Sequence, residues 1–285
     1  MAVVGAILGD IIGQPWEFSM SKPDRDSFKL FTDRSRFTDD SVMTIAVAEA
    51  LLNTPKALLT NSLIVHSNVI NSMKKWGRKY KDAGYGPKFY EWLNTGTRKP
   101  YGSWGNGSAM RVAAVGVLST SIHNCRATAK LTAEVTHNHP EGIKGAQALA
   151  EAIWCANSMG RINKTSREDK EAIRNLIEKQ YGYNLHRTCE DIIKSGYTFD
   201  VSCQGSVPEA IIAFLDGNSY EECVRNAVSL GGDADTLGCM TGAIAESFYG
   251  IPDDLVKQGL KILAEQGEEA MFRIIERVYK ESMGR

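Results

Sequence analysis

An all-α fold is predicted by three features of the 285-residue sequence. Apolar residues recur at every third or fourth position in one stretch after another, and Asp, Ser or Pro stands where such stretches begin. No segment pairs a hairpin dipeptide with flanking period-2 runs, and strand-like and helix-like stretches do not alternate, which disfavours a doubly wound sheet and a barrel.

The elements follow in order. Val3, Val4, Ile7, Leu8, Ile11 and Ile12 mark one face of a first helix. Val42, Ile45, Ala46, Ala48 and Leu52 follow the start Asp39-Asp40-Ser41, and Leu59, Leu63, Ile64 and Ile70 continue a second stretch. Met110, Val112, Val115, Val117 and Leu118 come after a Gly-rich turn. Pro140 opens an Ala-rich run to Met159, and Ser166 precedes residues 167–182, with acids early and bases late as the helix dipole favours. Pro208 introduces 209–217, Ser219 caps 220–232, and Asp233 begins a helix to Tyr249. Two further helices are predicted from Pro252 to about Gln266 and from about Glu268 to Glu281. The stretches without helical pattern, about 19–38 and 95–107, border the motifs described below, and loops of that length commonly carry function. With no repeat and no Pro/Ser-rich linker, one domain over 1–285 is expected.

The 33 Lys+Arg against 34 Asp+Glu give a net charge of −1, so no basic field invites nucleic acid. No apolar run reaches the ~20 residues that span a bilayer, and the N-terminal stretch lacks a basic region and is interrupted by Asp10. A cytoplasmic protein without a membrane partner, and a monomer, is expected. Cys125, Cys155, Cys189, Cys203, Cys223 and Cys239 form no CxxC pair and read as buried free thiols.

Four segments concentrate chemistry at expected helix ends. Asp10 and Glu17 lie two turns apart, on one side of the first helix if it stays regular, although a lone acid on such a helix is ordinarily solvated. Thr38-Asp39-Asp40-Ser41 reads either as an N-cap or as an oxygen-donor set for a hard cation. A prenyl-transferring fold would need a third acid where Met43 stands, and an HD-type phosphohydrolase would need a His-Asp dipeptide, which does not occur. Gly231-Gly232-Asp233-Ala234-Asp235-Thr236 repeats the acid-plus-hydroxyl recipe after a glycine turn. Two such helix starts far apart in sequence suit a pair of hydrated dications held between helices. Ser103-Trp104-Gly105-Asn106-Gly107-Ser108-Ala109-Met110-Arg111 can offer backbone amides to phosphate oxygens. Trp104, or secondarily Tyr101, could stack on a base, against the plain alternatives of a core Trp104 and a structural ion pair at Arg111.

Together the segments GDIIGQPWE, TDDS, NGSAMR, Thr136-His137 and GGDADTLG, in this order and spacing over residues 5 to about 250, resemble the ADP-ribosylglycohydrolase family. The resemblance is greatest to its bacterial branch of dinitrogenase-reductase-activating glycohydrolases. It implies an orthogonal helical bundle with two Mg²⁺ or Mn²⁺ ions in a central cleft. It also implies hydrolysis of the bond between C1″ of ADP-ribose and an acceptor side chain. Carried over by position, Thr38, Asp39, Asp40 and Asp235 would hold one ion, and Glu17, Asp233, Asp235 and Thr236 the other. Ser103, Asn106, Gly107, Ser108 and Met110 would lie on the loop that wraps ADP-ribose. His137 would approach its phosphates or ribose, and Trp104 would take the adenine-stacking place. His139 is expected to be a bystander.

The general base would be Asp40 or Glu17, acting on an oxocarbenium-like transition state. The implied substrates are ADP-ribosylated proteins or small molecules containing ADP-ribose, with the arginine N-glycosidic linkage preferred. The alternatives are a serine-linked or other O-linked bond, a different phosphorylated small molecule, and a non-catalytic ADP-ribose-binding protein.

Overall fold

The computed structural model describes residues 2–19, 21–160, 166–267 and 269–283. They wind into α1 (Val3–Gly13), α2 (Asp39–Leu52), α3 (Ser62–Lys79), α4 (Pro87–Asn94), α5 (Ala113–Leu118), α6 (Ile122–Glu134) and α7 (Pro140–Gly160). There follow α8 (Arg167–Tyr181), α9 (Cys189–Lys194), α10 (Cys203–Asp216), α11 (Tyr220–Ser229), α12 (Ala234–Tyr249), α13 (Asp253–Gln266) and α14 (Glu269–Met283). Among the described residues there is no strand, and the fold is all-α as expected. No described helix is long and apolar enough to cross a membrane.

The architecture is organised around α1 and α12, which run antiparallel in close contact. Every residue of α1 is buried, so this helix is enclosed on all sides rather than on the one face its sequence pattern marks. Gly5, Gly9 and Gly13, one turn apart, face Gly242, Gly238 and Ala234 of α12, and a Cβ at any of the three would collide with the α12 backbone. The glycines therefore let two backbones touch where side chains would hold them 8–10 Å apart. The seam is locked at its far end. Glu246 of α12 accepts from the Gly5 amide at 2.6 Å, and the Tyr220 hydroxyl donates to the Gly5 carbonyl at 2.9 Å. A carboxylate at the N-terminus of α1 also complements its dipole. At the near end, the same contact brings the C-terminus of α1 beside the N-terminus of α12, where the acidic motifs sit.

Several elements depart from the sequence reading for local reasons. α4 and α9 are short and were not foreseen, and α6 buries a face built of Cys125, Thr128, Ala129 and Thr132 that carries little apolar signal. α3 begins at Ser62 under an Asn61 cap and continues to Lys79, beyond the predicted stretch. α10 starts at Cys203, not at Pro208. Ser202 caps it through the Gly205 amide, and proline on its second turn removes only one backbone donor. The expected helix from Met110 begins at Ala113, because Asn106–Ser108 first wind a tight 3₁₀ turn whose carbonyl at Asn106 takes the amides of Ala109 and Met110. Glu268, the expected start of the last helix, lies outside the described residues.

Candidate metal centre and binding cavity

The acidic side chains are placed by the ends of α1, α2 and α12. At α2 the N-cap is Thr38, whose Oγ1 accepts from the Asp40 amide, so neither Asp39 nor Asp40 is spent on capping. At α12, Gly231 and Gly232 both take φ +74°, a conformation that side chains disfavour, and the turn they make delivers Asp233 to the N-cap position. Asp233 makes no cap bond; its Oδ2 accepts from Asn106 Nδ2 at 2.6 Å, which ties the Gly-rich loop to the acidic cluster. α1 does not run regularly to Glu17. Pro15 lacks the amide needed to continue it, a 3₁₀ turn at Gln14–Trp16 intervenes, and Glu17 follows with extended ψ.

The carboxylates converge. Oxygens of Asp10, Asp40 and Asp235 lie within 4.8 Å of one another, as do oxygens of Glu17, Asp233 and Asp235, and Asp235 belongs to both groups. Asp39 is in neither group but lines the same cavity. Asp10, fully buried, accepts from the Thr38 amide (2.9 Å), Thr38 Oγ1 (2.8 Å), the Ser41 amide (3.0 Å) and Ser41 Oγ (2.5 Å), and so fastens the start of α2 to α1. Thr38 Oγ1 lies behind the cavity between Asp10 and Asp40, and Thr236 Oγ1 reaches Asp40 Oδ2 at 3.2 Å. Asp40 Oδ1 is buried with no partner.

Electrostatically, the cluster holds negative charge at a cost. Burial raises the Asp10 carboxyl to about 6, and burial with the Asp233 charge raises Glu17 to about 7. Burial, reinforced by the neighbouring carboxylates, pushes Asp39, Asp40 and Asp235 well above the ordinary range, and burial also raises Asp233. An orphaned buried oxygen amid hard donors that repel one another is the donor chemistry that suits small divalent cations, and the residues fit such a group.

Above the cluster opens a cavity of about 740 Å³. Glu17, Asp39, Asp40, Asp233, Asp235 and Thr236 form one wall; Ser103, Asn106, Gly107, Met110, Arg111 and His137 form another, and the aromatic residues Phe18, Tyr85, Phe89, Tyr101 and Phe199 complete it. Ser108 is fully buried behind this wall, its Oγ donating to the Gly142 carbonyl at 2.7 Å. Trp104 does not line the cavity. Residues 104–106 pair with 201–203 through Asn106 N to Val201 O (2.7 Å) and Cys203 N to Trp104 O (3.0 Å). Ser103 and Gly105 line the cavity, so Trp104 between them turns outward, 48% exposed, before the 3₁₀ turn at Asn106 ends the extended run. Tyr101, the second aromatic considered, lines the cavity instead. His139 lies outside the lining.

Sequence reasoning left out Asp10 as a possible ligand, because a lone acid on an apolar helix looks solvated; the Gly5/Gly9/Gly13 spacing was the available clue that this helix has no solvent face. The plain alternative for Arg111, a structural ion pair, is not what the structure contains. Arg111 in fact donates to the Thr132 carbonyl (3.0 Å) and Thr136 Oγ1 (2.9 Å), both neutral.

A family model described as ADP-ribosylglycohydrolase matches residues 1–284. The chain belongs to the ADP-ribosylglycohydrolase family. Among similar proteins, the ADP-ribosylhydrolase ARH3 of Mus musculus is 26% identical, over 98% of this chain and 91% of that protein. The ADP-ribosylarginine hydrolase Tri1 of Pseudomonas putida (strain GB-1) is 22% identical, over 88% of this chain and 70% of that protein. A solved structure described as an "ADP-ribosylglycohydrolase-related protein complex" shares the fold, with TM-score 0.67 and 24% identity over 99% of this chain and 96% of that one. None of the three is named for the dinitrogenase-reductase-activating branch. The family membership makes this chain an ADP-ribosyl hydrolase family enzyme whose buried acidic cluster is consistent with metal dependence.

Proposed function

We propose that this protein hydrolyses the N-glycosidic bond between C1″ of ADP-ribose and an arginine side chain, and that two divalent cations, Mg²⁺ or Mn²⁺, are resident in the acidic cluster. Thr38, Asp39, Asp40 and Asp235 are assigned to one ion and Glu17, Asp233, Asp235 and Thr236 to the other. The observation that carries this reading is the convergence of Asp40 with Asp235, and of Glu17 with Asp233 and Asp235, on the wall of a ligand-sized cavity; Asp10, which completes the first group, has both oxygens engaged by Thr38 and Ser41. Bound there, the cations supply positive charge that orients ribose hydroxyls and makes a water more acidic.

The chain's own residues do the rest. Asp10 fixes the start of α2, so that Asp40 faces the cavity with an unshared oxygen. Asn106 steers Asp233 toward Glu17 and Asp235 while its loop, with Ser103, Gly107, Ser108 and Met110, shapes the wall that receives ADP-ribose. Trp104, outside that wall, is not carried forward as a stacking residue; Tyr101 takes that assignment. Glu17 or Asp40 removes the proton from the attacking water, and the negative cluster favours the positive character that develops at C1″.

Arginine as the acceptor is supported by the Phe18 and Phe199 rings, stacked 5.2 Å apart beside Glu17. A flat π surface next to a carboxylate suits a planar guanidinium. The motifs NGSAMR and GGDADTLG, similar to the dinitrogenase-reductase-activating branch, support the same linkage. Incubation with arginine-linked and serine-linked ADP-ribosyl peptides, with and without Mg²⁺ or Mn²⁺, tests the proposal. Metal-dependent release of ADP-ribose from the arginine peptide is expected. Release from the serine peptide alone would overturn the linkage, and release from neither would overturn the activity. Glu17→Ala and Asp40→Ala are each expected to lose most turnover, and near wild-type rates in both would refute their assignment.

A further inference from the structure

Arg111, Thr136 and His137 form a buried chain of hydrogen bonds that ends at the cavity opposite the carboxylates. Arg111 is 1% exposed, and no carboxylate is among its hydrogen-bond partners. Its Nη2 donates to Thr136 Oγ1 at 2.9 Å, and Thr136 Oγ1 lies 2.7 Å from His137 Nδ1. Guanidinium can only donate, so Thr136 must accept from it. Thr136 is fully buried, and its hydroxyl carries a single proton whose remaining partner is His137 Nδ1. Leaving that proton unused in the interior would cost the desolvation of a donor, so the hydroxyl donates to Nδ1. A ring nitrogen that accepts bears no hydrogen. In the neutral imidazole the proton is then on Nε2. Burial, together with the Arg111 charge, holds His137 well below its ordinary range, which keeps the ring neutral.

Nε2 points to the Gly-rich loop. A Cβ at Gly107 would stand 3.3 Å from it and one at Gly105 3.7 Å, so the glycines leave this N–H uncovered on the cavity wall. We infer that Arg111 and Thr136 are positioning residues that fix His137 as the Nε2–H tautomer, presenting one hydrogen-bond donor to an acceptor oxygen of the bound ligand. The tautomer follows from the hydrogen-bond chain alone; the ligand contact rests on the function proposed above.

Long-range ¹H–¹⁵N correlation spectra of the full chain at neutral pH test it, with His137→Gln used to assign the signal among the five histidines. The wild type is expected to show His137 with a protonated Nε2 and an unprotonated Nδ1. A proton on Nδ1, or on both nitrogens, overturns the inference whatever the enzyme does. Thr136→Val should remove the fixed tautomer and Thr136→Ser restore it; an unchanged tautomer in Thr136→Val contradicts the role of the hydroxyl. If Thr136→Val does not fold, Thr136→Ala makes the same comparison. With ADP-ribosyl substrate, Thr136→Val should raise KM on the order of tenfold with kcat little changed, and Thr136→Ser should recover it. A fixed tautomer with no ADP-ribose release would reject the proposed activity and leave the relay standing. A fall in kcat at constant KM would show that His137 does not act as a ligand-binding donor.

Discussion

Asp235→Asn isolates the cation-binding role of the cluster from its role in folding. Asp235 contributes to both oxygen groups, and the charges acting on it are those of Asp233, Asp40, Glu17 and Asp10. The amide keeps the shape of the side chain and an oxygen to accept the Thr236 amide, now 2.9 Å from Asp235 Oδ1, but removes one charge from a site of mutual repulsion. The metal-free variant should therefore melt no lower than the metal-free wild type. Adding cation has the opposite consequence. A ligand at about one hundred times its dissociation constant stabilises the native state by about 2.7 kcal/mol. With about 2.1 cal/mol/K of unfolding entropy per residue, a chain of 285 residues moves by about 1.7 °C per kcal/mol, so the wild type should gain about 4–5 °C from each Mn²⁺ bound, in calorimetry. Asp235→Asn should gain little. An equal gain in both proteins would refute the shared-ligand role, and a metal-free variant melting far below wild type would show that Asp235 stabilises the fold rather than waiting for a cation.

Other expectations follow from the same geometry. Asp10 at about 6 and Glu17 at about 7 are raised above their unfolded values of 3.8 and 4.5, so their favourable contribution is complete only below about pH 4 and is lost as pH climbs from there to about 7. Melting of the metal-free protein should fall between about pH 4 and pH 7, and saturating Mn²⁺ should suppress that fall; a rise with pH would reverse the assigned sign. Gly9→Ala inserts a Cβ into the α12 backbone and should cost about 1–3 kcal/mol or more in denaturant unfolding, while weakening Mn²⁺ uptake because Asp10 is the next residue. Unchanged uptake would separate the seam from the site. The six cysteines are free and buried, and burial pushes Cys155, Cys203 and Cys223 up to about 12. A thiol reagent should titrate almost none in the native protein and six after unfolding.

Much of this architecture is legible in the sequence because long helices with apolar periodicity declare themselves. α2, α7, α8 and α12 all carry such a pattern or a clear cap. α6 does not, since Leu131 is the one large apolar residue on a buried face otherwise made of threonine, alanine and cysteine, and α9 is too short for any period to emerge. The acidic motifs were visible as residue types at helix starts, yet their meeting depends on a contact no local pattern encodes: the glycines of α1 against those of α12. For the same reason Asp10 was underweighted, since whether it meets solvent or four hydrogen-bond donors depends on what packs against it. As sequence Trp104 ranks ahead of Tyr101; the pairing of 104–106 with 201–203 turns Trp104 out of the cavity that Tyr101 lines.

Anomalous diffraction from a crystal soaked in Mn²⁺ tests the central assignment directly. Density is predicted at coordination distance from the Asp235 carboxylate and from acids of both the α1 end and the α2 start. Absence of density there, with Mn²⁺ bound elsewhere or not at all, would contradict a cation centre built by the joining of these three helix ends.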